Sequence, residues 1–256
     1  MQRNILHTLL FLACLWGMSD CATLQGINTQ IDGLGKIGQQ PLTEQEIAAG
    51  LKEALEVGIS KGVEQLMKEN GYYGNPSIKI LLPPEAREVE SVIERHVPQG
   101  KELIDRVVLK MNRAAEEAAQ QAKPIFVNAI RQMTITDARN ILFGSQDAAT
   151  QYLKAKTYDG LFEAYYPQIK DAMEKVGAQQ AWQALAQPYN KLAASPLGST
   201  VGASKKVPED VSRYVTERAL YGLFLKVAEE ELKIREQATA RITPLLQKVF
   251  GELDKR

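Results

Sequence analysis

Two histidines and two cysteines are the whole imidazole and thiol inventory of these 256 residues. Cys14, Cys21 and His7 fall within or at the edge of an apolar leader, which leaves His96 as the one histidine beyond it. A zinc site needs several His or Cys ligands, so no metal is expected. A cysteine nucleophile is missing beyond the leader, and a Ser-His-Asp arrangement would have to recruit His96. That residue ends a short helical pattern, where a cation favours the dipole, and it reads as a surface or capping group. No glycine-rich phosphate loop or dinucleotide fingerprint follows a strand, so no cofactor is expected either. Carboxylate chemistry stays open, because Asp and Glu number 31. Yet no pair stands out as an acid and its base.

The densest run of unusual polar residues is Asn112, Arg113, Glu116 and Glu117. At i,i+4 spacing Asn112 faces Glu116 and Arg113 faces Glu117. Two uses compete: a polar binding site beside a face of alanines, or a surface ion pair plus a buried amide that sets helix register. The second is favoured, since exposed pairs of this kind contribute only about 0.3–0.5 kcal/mol and are common. NGYYGNP (70–76) is a turn-rich loop carrying Tyr72 and Tyr73. Those rings could meet a ligand or partner, but the favoured reading ends a helix at Gly71 and folds them onto the core. Asp137 and Tyr152 complete the set of candidate ligand- or partner-binding residues. No catalytic residue is assigned.

These side chains must be held by helices. Leu103, Val107, Met111, Ala114, Ala118, Ala122 and Phe126 recur in steps of three and four, which places them on one helical face. The spacing predicts a helix over 101–123, roughly 35 Å long at 1.5 Å per residue, kinked or restarted at Pro124. Its alanines leave little volume, so a partner element can come close. Thr134 with Asp137 is a capping-box-like start and Gly144 a stop, with Ser145 placed to cap the next helix.

Earlier in the chain, Thr43 and Glu46 form another capping box, followed by the stripe Ile47, Leu51, Leu55, Ile59, Val63, Met67. Gly58 and Gly62 lie one turn apart there, and the alanine face of 114–122 is the expected crossing partner. Ile78, Ile80 and Leu82 alternate, so 77–82 reads as one short extended segment, too little for a sheet. Later stripes run through Leu161, Phe162, Tyr165, Ile169, Met173 and Val176, then through Trp182, Leu185 and Tyr189. After the low-complexity stretch 195–207, a mobile loop by composition, Pro208 restarts a helix through Val211, Val215, Leu220, Leu223, Val227 and Leu232. A last helix spans Ile242 to Leu253. The expectation is an all-α, compact multi-helix bundle over 43–256.

The runs NRAAE (112–116), MTITDARNILFG (133–144), DAATQY (147–152), YVTERALYGLF (214–224) and LLQKVFG (245–251) are similar to the bacterial family catalogued as domain of unknown function 4197. The resemblance covers about residues 42–251. It implies an exported helical protein of Gram-negative-type bacteria, and it brings no catalytic residues, because the family has no established activity.

The N-terminus agrees with export. Arg3 precedes an apolar run from Ile5 to Met18, which is too short for a spanning helix of about 20 residues. Residues 1–21 therefore read as an export signal. Gly17-Met18-Ser19 offers a cleavage site for simple secretion. Cys21, in SDCATLQG, resembles instead the first residue of a lipoprotein, although Asp20 stands where a small residue is usual. Residues 22–42, rich in glycine and polar residues, form a flexible tether. The expected location is the periplasm, with a lipid anchor at Cys21 as the one route to the membrane.

Charge narrows the partners. Basic and acidic residues balance at 31 each, and no Lys/Arg run exceeds a pair, so neither nucleic acid nor an anionic membrane surface is indicated. Shape and burial remain. The favoured function is a non-enzymatic envelope protein that binds a partner protein. The alternative is a periplasmic carrier of an apolar ligand such as a lipid, which needs a cavity above about 300 Å³, and the third is a carboxylate-based hydrolase.

Overall fold

The capping box at Thr43 forms: its hydroxyl accepts from the Glu46 amide, and the Glu46 carboxylate accepts from the Thr43 amide. It opens α1 (Glu44–Met67) of a computed structural model that describes residues 41–96, 99–201, 203 and 205–255. The export signal, Cys21 and all but the end of the tether lie outside the described residues. Along α1 the stripe Ile47, Leu51, Leu55, Ile59 and Val63 is buried. Met67 is exposed, because the helix ends there and the chain turns away at Lys68. The left-handed residue of that turn is Asn70 rather than Gly71. Gly71 is needed for space: a Cβ there would lie 2.5 Å from the carbonyl oxygens of Gln65 and Leu66.

The chain continues through α2 (Arg87–His96), α3 (Gly100–Ala118) and α4 (Ala122–Gln132). The single helix expected over 101–123 breaks sooner than Pro124. Proline clashes with the carbonyl four residues back, which is Gln120, and residues 119–121 tighten into a 3-10 turn. The Thr134–Asp137 box then starts α5 (Ile135–Leu142). Helix α6 (Ala148–Lys175) runs through Pro167, and Gly177, at φ +67°, separates it from α7 (Ala178–Ala193). Ser145 does not cap α6; its hydroxyl bonds Asp147, which holds the N-cap position. Within 195–207 the regular structure described is a 3-10 turn at Ser199–Val201, and Ala203 and Val207 are buried. Helix α8 (Ser212–Glu236) begins four residues after Pro208, with the Asp210 carboxylate on the Ser212 amide. Helix α9 is shorter than its stripe implied, Pro244–Phe250, with Thr243 as N-cap and Ile242 exposed.

The result is an all-α bundle with no strand among the described residues, and Leu42–Arg256 is one compact unit. Helix α8 lies antiparallel to α6, as the pairs Thr150–Glu231 and Tyr158–Phe224 mark out. It is also antiparallel to α1, where Gly58 and Gly62 do mark a close crossing. Their partner is α8 rather than the alanine face: a Cβ on Gly58 would meet Glu230 Cβ at 3.4 Å, and on Gly62 Lys226 Cβ at 3.6 Å. Helix α3 packs against α6 and α7, and just past its end Ala119 O accepts from the Tyr165 hydroxyl of α6 at 3.0 Å. Leu232 is exposed, since it sits one residue, about 100°, off the buried face of Val227, Glu231 and Ile234.

Candidate functional site

The seven candidate side chains separate into two places. Asn112, Arg113, Glu116, Tyr72 and Tyr73 meet where α3 passes under the loop that follows α1. Glu116 is 5% exposed. One of its oxygens accepts from the Tyr72 and Tyr73 amides at 3.1 and 3.2 Å, and the other accepts from Arg113 at 2.5 Å. Arg113 also donates to Glu69 and to Asn70 Oδ1. The pairs expected from i,i+4 spacing do not form. Arg113 takes Glu116 one step nearer, because Glu116 faces inward toward the loop, and exposed Glu117 pairs with Lys175 of α6. Fully buried Asn112 accepts from the Ile80 amide at 2.9 Å and donates to Ile80 O at 2.8 Å. The stretch 77–82 forms no strand: the amides of Ser77, Ile78 and Lys79 turn back onto Asn75 and the Asn112 carboxamide meets Ile80, while Ile78, Ile80 and Leu82 are buried in the core. Tyr72 is fully buried, its hydroxyl on Ala219 O at 2.8 Å, and burial pushes its phenol far up. Tyr73 stays half-buried under the Lys79 ammonium. Every one of these polar groups holds the loop.

Asp137 and Tyr152 meet elsewhere, in an open cleft of about 310 Å³ between α4, the start of α5 and α6. One Asp137 oxygen accepts from the Thr134 hydroxyl and amide, and from the Tyr152 hydroxyl at 3.3 Å. Those hydrogen bonds, Thr134's first, hold the Asp137 carboxyl below the usual range, while desolvation and the facing carboxylate push the Tyr152 phenol up. Asp137 is thus a fixed anion rather than a proton donor. The sequence reading missed the rest of this cleft: Asn128 and Gln132 on α4, and Lys156 and Gly160 on α6. Gly160 carried a usable signal, since a glycine inside a helix costs about 1 kcal/mol against alanine. Here no contact asks for it, as a Cβ would find nothing within 4 Å.

A third group was also missed. Glu231 and Arg235, one turn apart on α8 and both buried, close the α5–α6 corner. Glu231 accepts from the Ala149 and Thr150 amides and the Thr150 hydroxyl at 2.8–3.0 Å. Arg235 donates to Ile141 O and Leu142 O at 2.8 and 3.0 Å. An anion at one helix start and a cation at another's end match both macrodipoles. Their i,i+4 spacing was the legible clue. An apolar void beside them, lined in part by Leu55, Ile59 and Phe250, has about 20 Å³, on the scale of one water. No group of three potential metal ligands occurs among the described residues, and no described helix is long and apolar enough to cross a membrane.

The model of a family described as protein of unknown function (DUF4197) matches residues 41–251. No curated protein and no solved structure matches the chain.

Proposed function

The chain belongs to the DUF4197 family of proteins of unknown function, and from that premise we propose a non-enzymatic helical protein of the cell envelope that binds a partner protein. One observation carries the reading: its best-buried polar side chains serve architecture. Glu116 and Asn112 hold a loop, Glu231 and Arg235 close a helix corner, and Arg241 donates to the last carbonyls of α8. Among the described residues, the carboxyls pushed off their ordinary values, Glu46, Asp137, Asp147 and Asp254, are all lowered by hydrogen bonds. A hydrolytic acid needs the opposite shift. The clefts that reach about 300 Å³ are open to solvent and lined in part by polar side chains such as Asp137 and Lys156, whereas the apolar void at Leu55 and Ile59 has room for about one water; surface recognition is therefore favoured over transport in a closed cavity. Export, and either release or lipidation at Cys21, belong to the same proposal.

The test is crosslinking in intact cells, identification of the captured protein, and reconstitution of the purified pair. A direct complex of the two supports the reading. Copurifying lipid with no protein partner supports the carrier instead. Recovery of the chain from the cytosol with Met1 intact would remove the envelope from the proposal.

A further inference from the structure

Resting on that reading, we propose that α7 carries a groove for an extended, proline-containing peptide of the partner, and that the chain's own segment 205–210 fills it until the partner displaces it. The segment is held by its main chain. The Asn190 carboxamide accepts from the Val207 amide at 2.8 Å and donates to Val207 O at 3.0 Å. The Trp182 indole donates to Pro208 O and the Gln179 carboxamide to Glu209 O, each at 2.8 Å. Gln179, Trp182 and Asn190 share one side of α7 by their spacing, and the segment crosses them antiparallel to the helix. Of its side chains Val207 is buried, while Lys205, Lys206, Pro208, Glu209 and Asp210 are exposed. The groove therefore reads backbone: one N–H and three successive carbonyls. Pro208 suits it, because no bond from α7 calls for the N–H that proline lacks, and it keeps the residue before it extended. Grooves for proline-rich strands work in this way, through aromatic walls and a ligand whose backbone is preformed.

The chain's own segment fits this groove incompletely. Gln179 Oε1 is buried and accepts no hydrogen bond, the one side-chain atom in that condition among the described residues. Asn190 spends both ends of its carboxamide on a single residue, whereas Gln179 spends only its N–H end. A strand that also gives an N–H to Gln179 Oε1 makes every bond the segment makes and relieves a buried acceptor left unmet. That difference is what allows a ligand to replace a tethered competitor. Trp182, fully buried, reports on the exchange, since Trp16 is the only other tryptophan in the chain.

The experiment uses the full chain with Trp16→Phe, so that Trp182 is its one indole, and a dansyl-labelled peptide of residues 205–211, KKVPEDV. In the chain without further substitution the Val207 amide should exchange its hydrogen through local opening, at a rate indifferent to urea below the unfolding transition. The peptide should bind saturably, seen as energy transfer from Trp182. Val207→Gly in the chain loosens the segment and should tighten the peptide at least about tenfold, as when a competent state stops being a minor one. Asn190→Ala should weaken the peptide by a similar factor, with helical circular dichroism unchanged in both variants. A Val207 amide that exchanges only with global unfolding would overturn the proposal, whether or not either variant folds. So would energy transfer indifferent to Asn190→Ala, or a peptide affinity that Val207→Gly leaves unchanged or lowers. In cells, the yield of the crosslinked partner should rise with Val207→Gly and fall with Asn190→Ala. A partner whose yield ignores both substitutions sinks this groove and leaves partner binding standing. Peptide binding and local opening as expected, with no partner captured, sink partner binding and leave the groove.

Discussion

Asn112 completes the backbone of Ile80 as a neighbouring strand would, with one acceptor and one donor. Replacement by alanine strands a buried N–H and a buried C=O, each worth about 1–3 kcal/mol when left unmet. Asn112→Ala should therefore lower stability by about 2–4 kcal/mol, read as a shift of the urea midpoint at unchanged slope. A loss below about 0.5 kcal/mol would mean that the loop does not depend on this amide. Glu46 gives a pH signature. The Lys248 ammonium and the Thr43 cap bring its carboxyl down from 4.5 to about 2, so ionisation favours the folded state. The contribution is complete above 4.5 and is lost as pH falls through 2; Asp137, Asp147 and Asp254, also lowered, act in the same direction. Melting temperature should fall steadily through that acid range, and Glu46→Gln should reduce the fall. An equal acid slope in the variant would exclude Glu46 as a source.

Helix ends are where this fold concentrates its charge. Glu231→Ala would uncap α6 and leave Arg235 buried without its anion, a combination worth about 3–5 kcal/mol. Faster hydrogen exchange should appear at the amides of Ala149 and Thr150 before the rest of α6. Uniform loss of protection along α6 would instead mean that the corner is not a local clamp. The same helices mark what sequence could reveal. Capping boxes at Thr43 and Thr134 were legible because each is complete within four consecutive residues. The stripe of α1 was legible because one side of it is buried. The partner of Gly58 and Gly62 was not, since a glycine signals close approach without naming what approaches. Arg113 was assigned the wrong carboxylate because i,i+3 and i,i+4 neighbours are both in reach, and only the loop above decides between them. Asp137 and Tyr152 could be nominated from local chemistry, whereas their cleft is made by three helices meeting and leaves no pattern in any one of them.

At the scale of the molecule, the two ends of the bundle depend on each other. Helix α9 lies on the first half of α1: Val249 packs over Gly50, and Lys248 pairs with Glu46 at 2.6 Å. Leu246, Val249 and Phe250 are fully buried there, and at about 1.5–3 kcal/mol for each such side chain they contribute roughly 4.5–9 kcal/mol. A domain's whole stability is about 5–15 kcal/mol, so the last turns decide whether the bundle closes. Arg241 strengthens the dependence by donating to Ile234 O and Arg235 O at the end of α8 and pairing with Asp254. Deletion of residues 237–256 should leave much of the far-ultraviolet helical signal but remove near-ultraviolet side-chain asymmetry and flatten the urea transition. A peptide of residues 237–256 added in trans should restore the sharp transition, because Gly50 and its neighbours keep the groove it fills. If the truncated chain unfolds as cooperatively as the intact one, α9 is an appendage, and the central pair α6 and α8 holds the core without it.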